Sequence, residues 1–152
     1  MVIFGGFEHG IRQNSILMFD FDTSQWEHLE AKGPSPQARA GHSATIYQDN
    51  MYVFGGKDED NEKLKDFWSF NFESCTWEQL QCDAESIAAR SGHSCEVYGD
   101  YLIIFAGIHE VTKELDDMAA YSFQKKKWIH LFKEPVPQKN QTADSPAKIS
   151  SK

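Results

Sequence analysis

The amino-acid sequence predicts an all-β protein made of tandem four-stranded antiparallel units. One observation is a period of 51 residues, which separates Trp26, Trp77 and Trp128. The string ARAGHS at 38–43 returns after the same interval as ARSGHS at 89–94. A second observation is the aromatic content of 13%, because aromatic side chains suit the pleated surface of a sheet. Four strands in about 40–50 residues are typical of one blade of a β-propeller.

A complete repeat contains four short apolar segments bounded by Gly, Asp, Asn or Ser, which is the pattern expected of strands. The links between the first and second segments and between the third and fourth are short, and this favours hairpins. Each repeat is therefore predicted to be a meander. In the second repeat the four segments are HSATIY (42–47), MYVFGG (51–56), FWSFNF (67–72) and CTWEQL (75–80).

The chain is predicted to supply two complete blades and one incomplete blade. The first blade, 1–32, starts with MVIFGG, which matches a second strand, so its first strand is expected to be missing. The complete blades are expected at 33–82 and 83–132. Residues 133–152 are polar and rich in proline, and we expect a disordered tail there. We expect the chain to be a fragment or isoform of a longer propeller. Two copies completing one ring, or docking to further blades of a partner, are the alternatives.

Charge and composition exclude several classes of function. The formal net charge is −8, and no basic stripe is present of the kind that nucleic-acid binding requires. No apolar run approaches the roughly 18 residues that span a bilayer, so membrane insertion is not expected. Cys75, Cys82 and Cys95 show no CxxC pairing, which argues against a disulfide framework or a zinc site. A reducing, cytoplasmic location is the expectation.

Three motifs recur with the period. A glycine pair ends the second strand (VIFGG, YVFGG, and IIFAG in the third repeat), an aromatic residue is followed by six residues and Trp, and R-x-G-H-S opens the first strand. In these motifs residues 1 to about 131 resemble the kelch repeat of the Rab9-effector-like and leucine-zipper-like-regulator type. The resemblance implies a partial kelch β-propeller of about three blades, whereas kelch propellers usually close with five to seven.

Positions that return in every repeat are predicted to be structural, because a catalytic centre needs single, unrepeated groups. The two repeated histidines have no third ligand at matching offsets, so neither a metal nor any other cofactor is expected. The copper oxidases of the kelch family require a converging set of Tyr, Cys and His groups that is not recognisable in this sequence. The predicted structural positions are Gly5, Gly6, Gly55, Gly56, Gly107, Trp26, Trp77, Trp128, His42 and His93.

The third copy of the glycine pair predicts which of its two positions is more sensitive to substitution. Ala106 replaces the first glycine in the third repeat, which predicts that this position tolerates a methyl group. Replacing Gly56 with Val is therefore expected to damage folding more than replacing Gly55 with Ala.

Arg39 and Arg90 leave two alternatives open. Each lies just before a first strand, where its guanidinium group would satisfy carbonyl groups between blades. In the same place it would also present a bidentate fork to the carboxylate of a ligand.

Variable loops are the predicted binding surface. If the four strands alternate in direction, the loops at 7–15, 57–66 and 108–117 open on the same side as the inter-blade links at 30–38 and 81–89. We call this surface the loop face. Its acidic residues form either a solvated rim or an acidic lip that steers a basic partner. Together with the two arginines, the candidate binding residues are Asp58, Glu59, Asp60, Glu62, His109, Glu110 and Glu114.

The leading functional hypothesis is a non-enzymatic module for protein–protein interaction, a scaffold or adaptor that binds a peptide or protein through the loop face. Similar kelch proteins act as cytoplasmic scaffolds, Rab effectors, cytoskeletal organisers or substrate receptors of ubiquitin ligases. The alternatives are the substrate-recognition part of a ubiquitin-ligase adaptor and a metal-dependent propeller enzyme.

Overall fold

The computed structural model describes residues 1–82, 87–111 and 113–132, and this part of the chain is all β. Eleven strands form three antiparallel sheets of three, four and four strands, each with its strands in chain order. We call the sheets blades 1, 2 and 3. Blade 1 contains β1 (Val2–Glu8), β2 (Ile11–Asp20) and β3 (Gln25–Leu29). Blade 2 contains β4 (Ser43–Tyr47), β5 (Asn50–Phe54), β6 (Phe67–Asn71) and β7 (Thr76–Leu80). Blade 3 contains β8 (Ser94–Tyr98), β9 (Tyr101–Glu110), β10 (Lys113–Ser122) and β11 (Lys127–Phe132).

The predicted all-β partial propeller is confirmed, including the first blade without a first strand. Each blade is a meander, as the short links predicted. The expected tail at 133–152 lies outside the described residues. Among the described residues there is no helix that is long and apolar enough to cross a membrane.

The spacing between the aromatic residue and its tryptophan has a simple origin in the outer hairpin of each blade. Phe70 and Trp77 are directly opposite each other in β6 and β7, with their ring centroids 5.0 Å apart. Phe19 with Trp26 and Tyr121 with Trp128 are the equivalent cross-strand pairs of the other blades. Aromatic cross-strand pairs stabilise antiparallel sheets. The interval between the aromatic residue and Trp is therefore set by the register of the outer hairpin.

The prediction of loops at 7–15 and 108–117 is wrong for most of these residues. There β1 and β2, and again β9 and β10, continue as paired strands past the glycine pair, with bulges in the register. We call these extensions the arms of blades 1 and 3. Of the three segments, 57–66 in blade 2 is the one that forms a loop. All three segments are rich in polar and charged residues, so their composition does not distinguish the loop from the arms.

The core lies in the two seams between neighbouring blades. In the first seam Trp77 packs on Phe4 of blade 1, with ring centroids 4.9 Å apart. In the second seam Trp128 packs on Phe54 and Phe67 of blade 2, at 5.2 and 5.3 Å. Each tryptophan thus packs against aromatic side chains of the preceding blade, and burial of aromatic surface of this kind dominates core energetics.

Trp26 differs from its two counterparts because no blade precedes blade 1 in the described residues. Its side chain is 49% exposed, while those of Trp77 and Trp128 are 6% and 7% exposed. Its ring packs on Phe19 of its own sheet, with the ring centroids 4.9 Å apart.

Candidate functional site

The guanidinium groups of Arg39 and Arg90 are fully buried. Arg39 donates to both carboxylate oxygens of Asp66, each at 2.7 Å. Arg90 donates in the same way to Asp117, at 2.8 and 2.8 Å. Each arginine also donates to the carbonyl of the first residue of the glycine pair in its own blade. All of these partners lie within one blade, and this geometry favours the structural role over a role in ligand binding.

The backbone of each arginine holds the neighbouring blade. In the first seam the Arg39 N–H donates to the Gln13 carbonyl at 3.0 Å, and the Gly6 N–H donates to the Arg39 carbonyl at 2.9 Å. In the second seam the corresponding bonds join Arg90 to Leu64 at 3.0 Å and Gly56 to Arg90 at 2.8 Å. We call this pair of hydrogen bonds the clasp. One residue therefore fixes two blades, its own through the side chain and the preceding one through the backbone.

Electrostatics in the seams agree with this structural role. Burial by itself would raise the pKa of Asp66, but the hydrogen bonds and the charge of Arg39 outweigh it and hold the pKa below its usual value. Asp117 is affected in the same way by Arg90. The carboxylates therefore stay ionised and keep the buried guanidinium groups compensated.

His42 and His93 lie next to the clasp residues and are neutral at physiological pH. Burial, with a smaller effect of the neighbouring arginine, lowers the pKa of each to about 4. The rings pack edge-on against Phe4 and Phe54, both at 5.4 Å between centroids. Nε2 of His93 is 2.7 Å from the hydroxyl oxygen of Ser43 across the seam. These contacts are those of a packed seam residue.

The glycine pair is restricted at both positions. A Cβ on Gly55, which has φ +64°, would lie 2.6 Å from the Arg90 carbonyl oxygen of the clasp. A Cβ on Gly56, which has φ +99°, would lie 2.9 Å from Cβ of His42. The expectation that the first glycine tolerates a methyl group therefore does not extend from Ala106 to Gly55. Ala106 can carry its methyl because, in the described residues, no further blade places a clasp carbonyl over it.

On the loop face, Asp58 organises the loop at 57–66. One carboxylate oxygen accepts the N–H groups of Asp60 and Glu62 at 3.1 and 3.0 Å. The other oxygen accepts a hydrogen bond from Nε2 of Gln37 at 3.3 Å, and this bond joins the loop to the inter-blade link. The link and the loop thus lie on one side, as the alternation of strands predicted.

Arg12, in the arm of blade 1, closes the loop-face end of the first seam. Its Nη2 donates to Oδ1 of Asn61 at 2.6 Å and its Nη1 to the carbonyl of Glu59 at 3.3 Å. Its backbone N–H donates to Oε1 of Glu59 at 3.0 Å. The guanidinium also lies over the ring of Phe7, 5.5 Å from the centroid. We call these contacts the clamp.

Among the residues that the structure describes, the second seam has no such clamp. Lys63 follows Arg12 by 51 residues, and Glu110 follows Glu59 by the same interval. Nζ of Lys63 donates to the Asn61 carbonyl of its own loop at 3.3 Å. Where the first seam is closed, the second contains a cleft of about 340 Å³. The cleft is lined by Asn61, Glu62, Lys63, Ala89, His109, Glu110 and Val111.

The acidic candidates separate into two groups. The carboxylates of Asp58 and Glu59 accept hydrogen bonds that hold the loop and the clamp, while the Glu59 side chain is 54% exposed. Asp60, Glu62, Glu110 and Glu114 are exposed. In the arm of blade 3, Asp117 is paired with Arg90, which leaves three exposed carboxylates (Glu110, Glu114 and Asp116) against Lys113, a net charge of −2. The net charge of this arm is more negative than that of the loop at 57–66, where four carboxylates without Asp66 stand against three lysines, a net charge of −1.

His109 positions the wall of the cleft that blade 3 contributes. Its Nδ1 is 2.6 Å from the Ala89 carbonyl in the inter-blade link, and its Nε2 is 3.8 Å from Oε1 of Glu110. Val111, at the tip of the arm, is 97% exposed. Across residues 1–82, 87–111 and 113–132, no three His, Cys, Asp or Glu side chains come together as a metal site would require.

Three functional features were missed in the sequence, although the period contained their signal. Asp66 and Asp117 repeat in step with the two arginines that they pair with. Glu59 and Glu110 belong to one series of equivalent positions, so they are not simply variable loop residues. Arg12 has no repeated counterpart, and only its spacing from Lys63 indicates that the clamp changes between seams.

Comparison with known proteins gives a consistent result. The family model described as KLHDC2/KLHL20/DRC7 Kelch-repeats domain matches residues 1–146. Rho GTPase-activating protein gacHH of Dictyostelium discoideum is 32% identical over 133 residues, which cover 84% of this chain and 9% of that protein. Ras guanine nucleotide exchange factor F of the same organism is 29% identical over 140 residues, with 91% and 12% covered. Leucine-zipper-like transcriptional regulator 1 of Mus musculus is 33% identical over 122 residues, with 78% and 14% covered. The chain thus spans only a small fraction of the length of these relatives.

Proposed function

We propose that this chain, which belongs to the kelch-repeat family, uses its loop face to bind an extended basic segment of a protein partner. Kelch repeat domains are generally protein-interaction modules, and the family fold is generally non-enzymatic. The cleft as the binding site and the basic character of the partner are our proposals for this chain.

The observation that carries the proposal is the open cleft of the second seam. In the first seam a guanidinium group is already bound by Glu59 and Asn61. Glu110 is the repeat equivalent of Glu59, and it faces the cleft without an arginine from its own chain at the position of Lys63. An arginine of the partner would enter the cleft and contact Glu110, as Arg12 contacts Glu59.

Charge and shape around the cleft support the same partner chemistry. The net charge of −2 on the arm of blade 3 favours approach of a basic segment and would raise the association rate. Val111 offers an exposed apolar contact beside Glu110. A segment with an arginine next to an apolar residue matches this pair of features. Since the charges are exposed, binding should weaken as salt concentration rises.

Selection of random nonapeptides displayed on phage, with the full chain as bait, tests the proposal. We expect arginine and lysine to be enriched in the selected peptides. A Glu110→Lys, Glu114→Lys variant should select acidic peptides instead, while the matched control Glu27→Lys, Glu73→Lys should select like the original. Unchanged selection by the first variant, or no enrichment at all, would contradict the proposal.

A second variant tests the cleft without removing a charge. Lys63→Arg restores the residue that closes the first seam, so its guanidinium should pair with Glu110 and fill the cleft. We expect the selected peptides to bind this variant roughly tenfold more weakly, the scale of a lost charged hydrogen bond, while stability to urea is equal or higher. Equal peptide affinity for both proteins would show that the peptides bind elsewhere.

A further inference from the structure

A second pocket lies at the other end of the second seam, on the side of the sheets opposite the loop face. We call this side the hairpin face, because the short turns of each meander lie there. The pocket has a volume of about 300 Å³ and is lined by strands β5 to β7 of blade 2 and by the outer hairpin of blade 3. It shares no lining residue with the cleft on the loop face.

Positions that are apolar in the first seam are polar around this pocket. The equivalent positions, first seam followed by second, are Val2 and Tyr52, Met18 and Ser69, Phe70 and Tyr121, and Cys75 and Lys126. The strand register supports the equivalence, since Val2 is opposite Met18 and Tyr52 is opposite Ser69. In the first seam Val2 and Cys75 pack against the apolar core. Burial of polar groups costs stability unless they are hydrogen-bonded, so these changes at one place favour a ligand over a second packed seam.

Ser69 provides the buried polar group of the pocket. Its side chain lines the pocket and is only 7% exposed. Its hydroxyl group has no hydrogen-bond partner among the residues that the structure describes. A serine at the position of Met18 leaves room in the seam, and its hydroxyl group is available to a ligand.

The aromatic walls of the pocket are held by contacts outside it. Phe123 stacks on Tyr47 with ring centroids 3.8 Å apart, and Tyr47 donates a hydrogen bond to Asp100 at 2.6 Å. The ring of Tyr52 lies 4.8 Å from that of Phe123. These rings form a fixed apolar surface that suits a short hydrocarbon chain.

Two opposite charges line the pocket, one from each blade. Glu78 belongs to β7, and Lys126 lies in the turn between β10 and β11. Within the described ranges neither side chain forms a salt bridge. Burial raises the pKa of Tyr52 and Tyr121, and the charge of Glu78 adds to this effect, so the carboxylate lies near both phenol groups.

We propose that this pocket binds a small zwitterion, in which a short hydrocarbon chain joins an amine to a carboxylate. The ammonium group of the ligand contacts Glu78 and its carboxylate contacts Lys126. The Ser69 hydroxyl group donates to the ligand carboxylate or accepts from its ammonium group, and the aromatic walls contact the hydrocarbon chain. This site is independent of peptide binding on the loop face.

A titration of the full chain with glycine, β-alanine, γ-aminobutyrate and ε-aminocaproate, followed by amide NMR signals, tests the proposal. The four compounds differ in the separation of their charges. We expect saturable changes at Ser69 and Tyr121, with the tightest binding for the compound whose length matches the pocket. Butylamine and butyrate carry one charge each and should bind about tenfold more weakly, the scale of a lost charged hydrogen bond.

A charge exchange separates ligand binding from damage to the fold. Glu78→Lys and Lys126→Glu should each weaken binding of the best compound about tenfold. The double variant should recover most of the affinity with the ligand reversed, a gain that misfolding cannot produce. Glu27→Lys, at the equivalent position of the first seam, is the matched control and should bind like the original chain.

Three results would overturn the proposal. The first is that none of the zwitterions binds at concentrations up to about 10 mM. The second is that the compounds with one charge bind as tightly as the zwitterions, or that the double variant binds no better than the single variants. The third is that the amide changes fall on the cleft, around Glu110, instead of on the pocket.

Discussion

Replacing Gly55 with Ala should destabilise the protein far more than the presence of Ala106 in the next blade suggests. Gly55 has φ +64° and lies beneath the clasp of the second seam. The added Cβ would lie 2.6 Å from the Arg90 carbonyl oxygen, whereas ordinary contact begins at about 3.4 Å. That oxygen is part of the backbone, and it accepts the Gly56 N–H at 2.8 Å. The methyl group can be accommodated only if the seam opens.

Two costs set the magnitude. An alanine in the left-handed region costs about 1–2 kcal/mol. Moving the Arg90 carbonyl away by about 0.8 Å takes the clasp hydrogen bond beyond its normal length, and its loss costs about 0.5–1.5 kcal/mol. The two costs add, and a residual steric overlap of the methyl group with its neighbours raises the sum slightly. We therefore expect Gly55→Ala to lower the free energy of unfolding by about 2–4 kcal/mol.

Two matched substitutions separate conformational strain from the clash. Gly5→Ala has the same backbone conformation, with φ +61°, but its Cβ would lie 3.0 Å from the Arg39 carbonyl, so we expect a smaller loss of about 1–2 kcal/mol. In the described part of the chain no clasp carbonyl lies over Ala106, so Ala106→Gly relieves backbone strain alone and should change stability by less than about 1 kcal/mol.

Urea unfolding followed by tryptophan fluorescence gives the three values, since Trp77 and Trp128 are buried in the seams. The reasoning is refuted if Gly55→Ala costs no more than Gly5→Ala. It is also refuted if Gly55→Ala costs less than about 1 kcal/mol, which would be below the strain of the left-handed backbone alone.

Two further predictions concern charge in the seams. His42 and His93 have pKa values of about 4 in the folded protein and about 6.5 when unfolded. Between pH 6.5 and 4 these two histidines therefore bind protons in the unfolded chain but not in the folded protein. Stability should therefore fall as the pH drops from 6.5 to 4, by about 1.4 kcal/mol per pH unit for each histidine, and thermal unfolding temperatures that are flat over this range would contradict it. Asp66→Ala leaves the buried Arg39 unpaired and should cost about 3–5 kcal/mol in urea unfolding, whereas the exposed control Asp116→Ala should cost almost nothing. Equal losses of stability in the two variants would contradict the claim that Asp66 stabilises the fold by pairing with the buried Arg39.

The meander and its register could be predicted because they depend on spacing within one repeat. Phe70 and Trp77 are partners across a short hairpin, so a fixed interval in sequence becomes a contact in structure. The seams could be predicted only in outline. The sequence shows that Trp77 is buried somewhere, but its partner Phe4 is more than one repeat away and belongs to a different sheet.

The roles of the charged residues were the least accessible from sequence. From sequence, Arg39 is suited both to carbonyl groups between blades and to the carboxylate of a ligand, and neither alternative names Asp66, whose carboxylate accepts both guanidinium hydrogen bonds in the structure. Glu59 looks like part of a solvated acidic loop, but Arg12 of another blade binds it. Asp66 repeats in step with Arg39, but a shared period does not show that the two side chains pair, and no pattern in the sequence connects Arg12 with Glu59.

One position on the loop face changes its chemistry in step with the blades, and this change carries the functional argument. Positions 12, 63 and 114 are Arg, Lys and Glu at intervals of 51 residues, on a backbone whose clasp is otherwise repeated. Arg12 closes the first seam, Lys63 turns to a carbonyl of its own loop beside the cleft of the second seam, and Glu114 is exposed on the arm of blade 3. The clasp beneath these positions is repeated, but Arg12 lies in a paired strand and Lys63 in a loop, so the cleft opens where both the side chain and the local backbone differ. A substitution at Lys63 should therefore alter binding on the loop face while leaving the clasp and the seams intact.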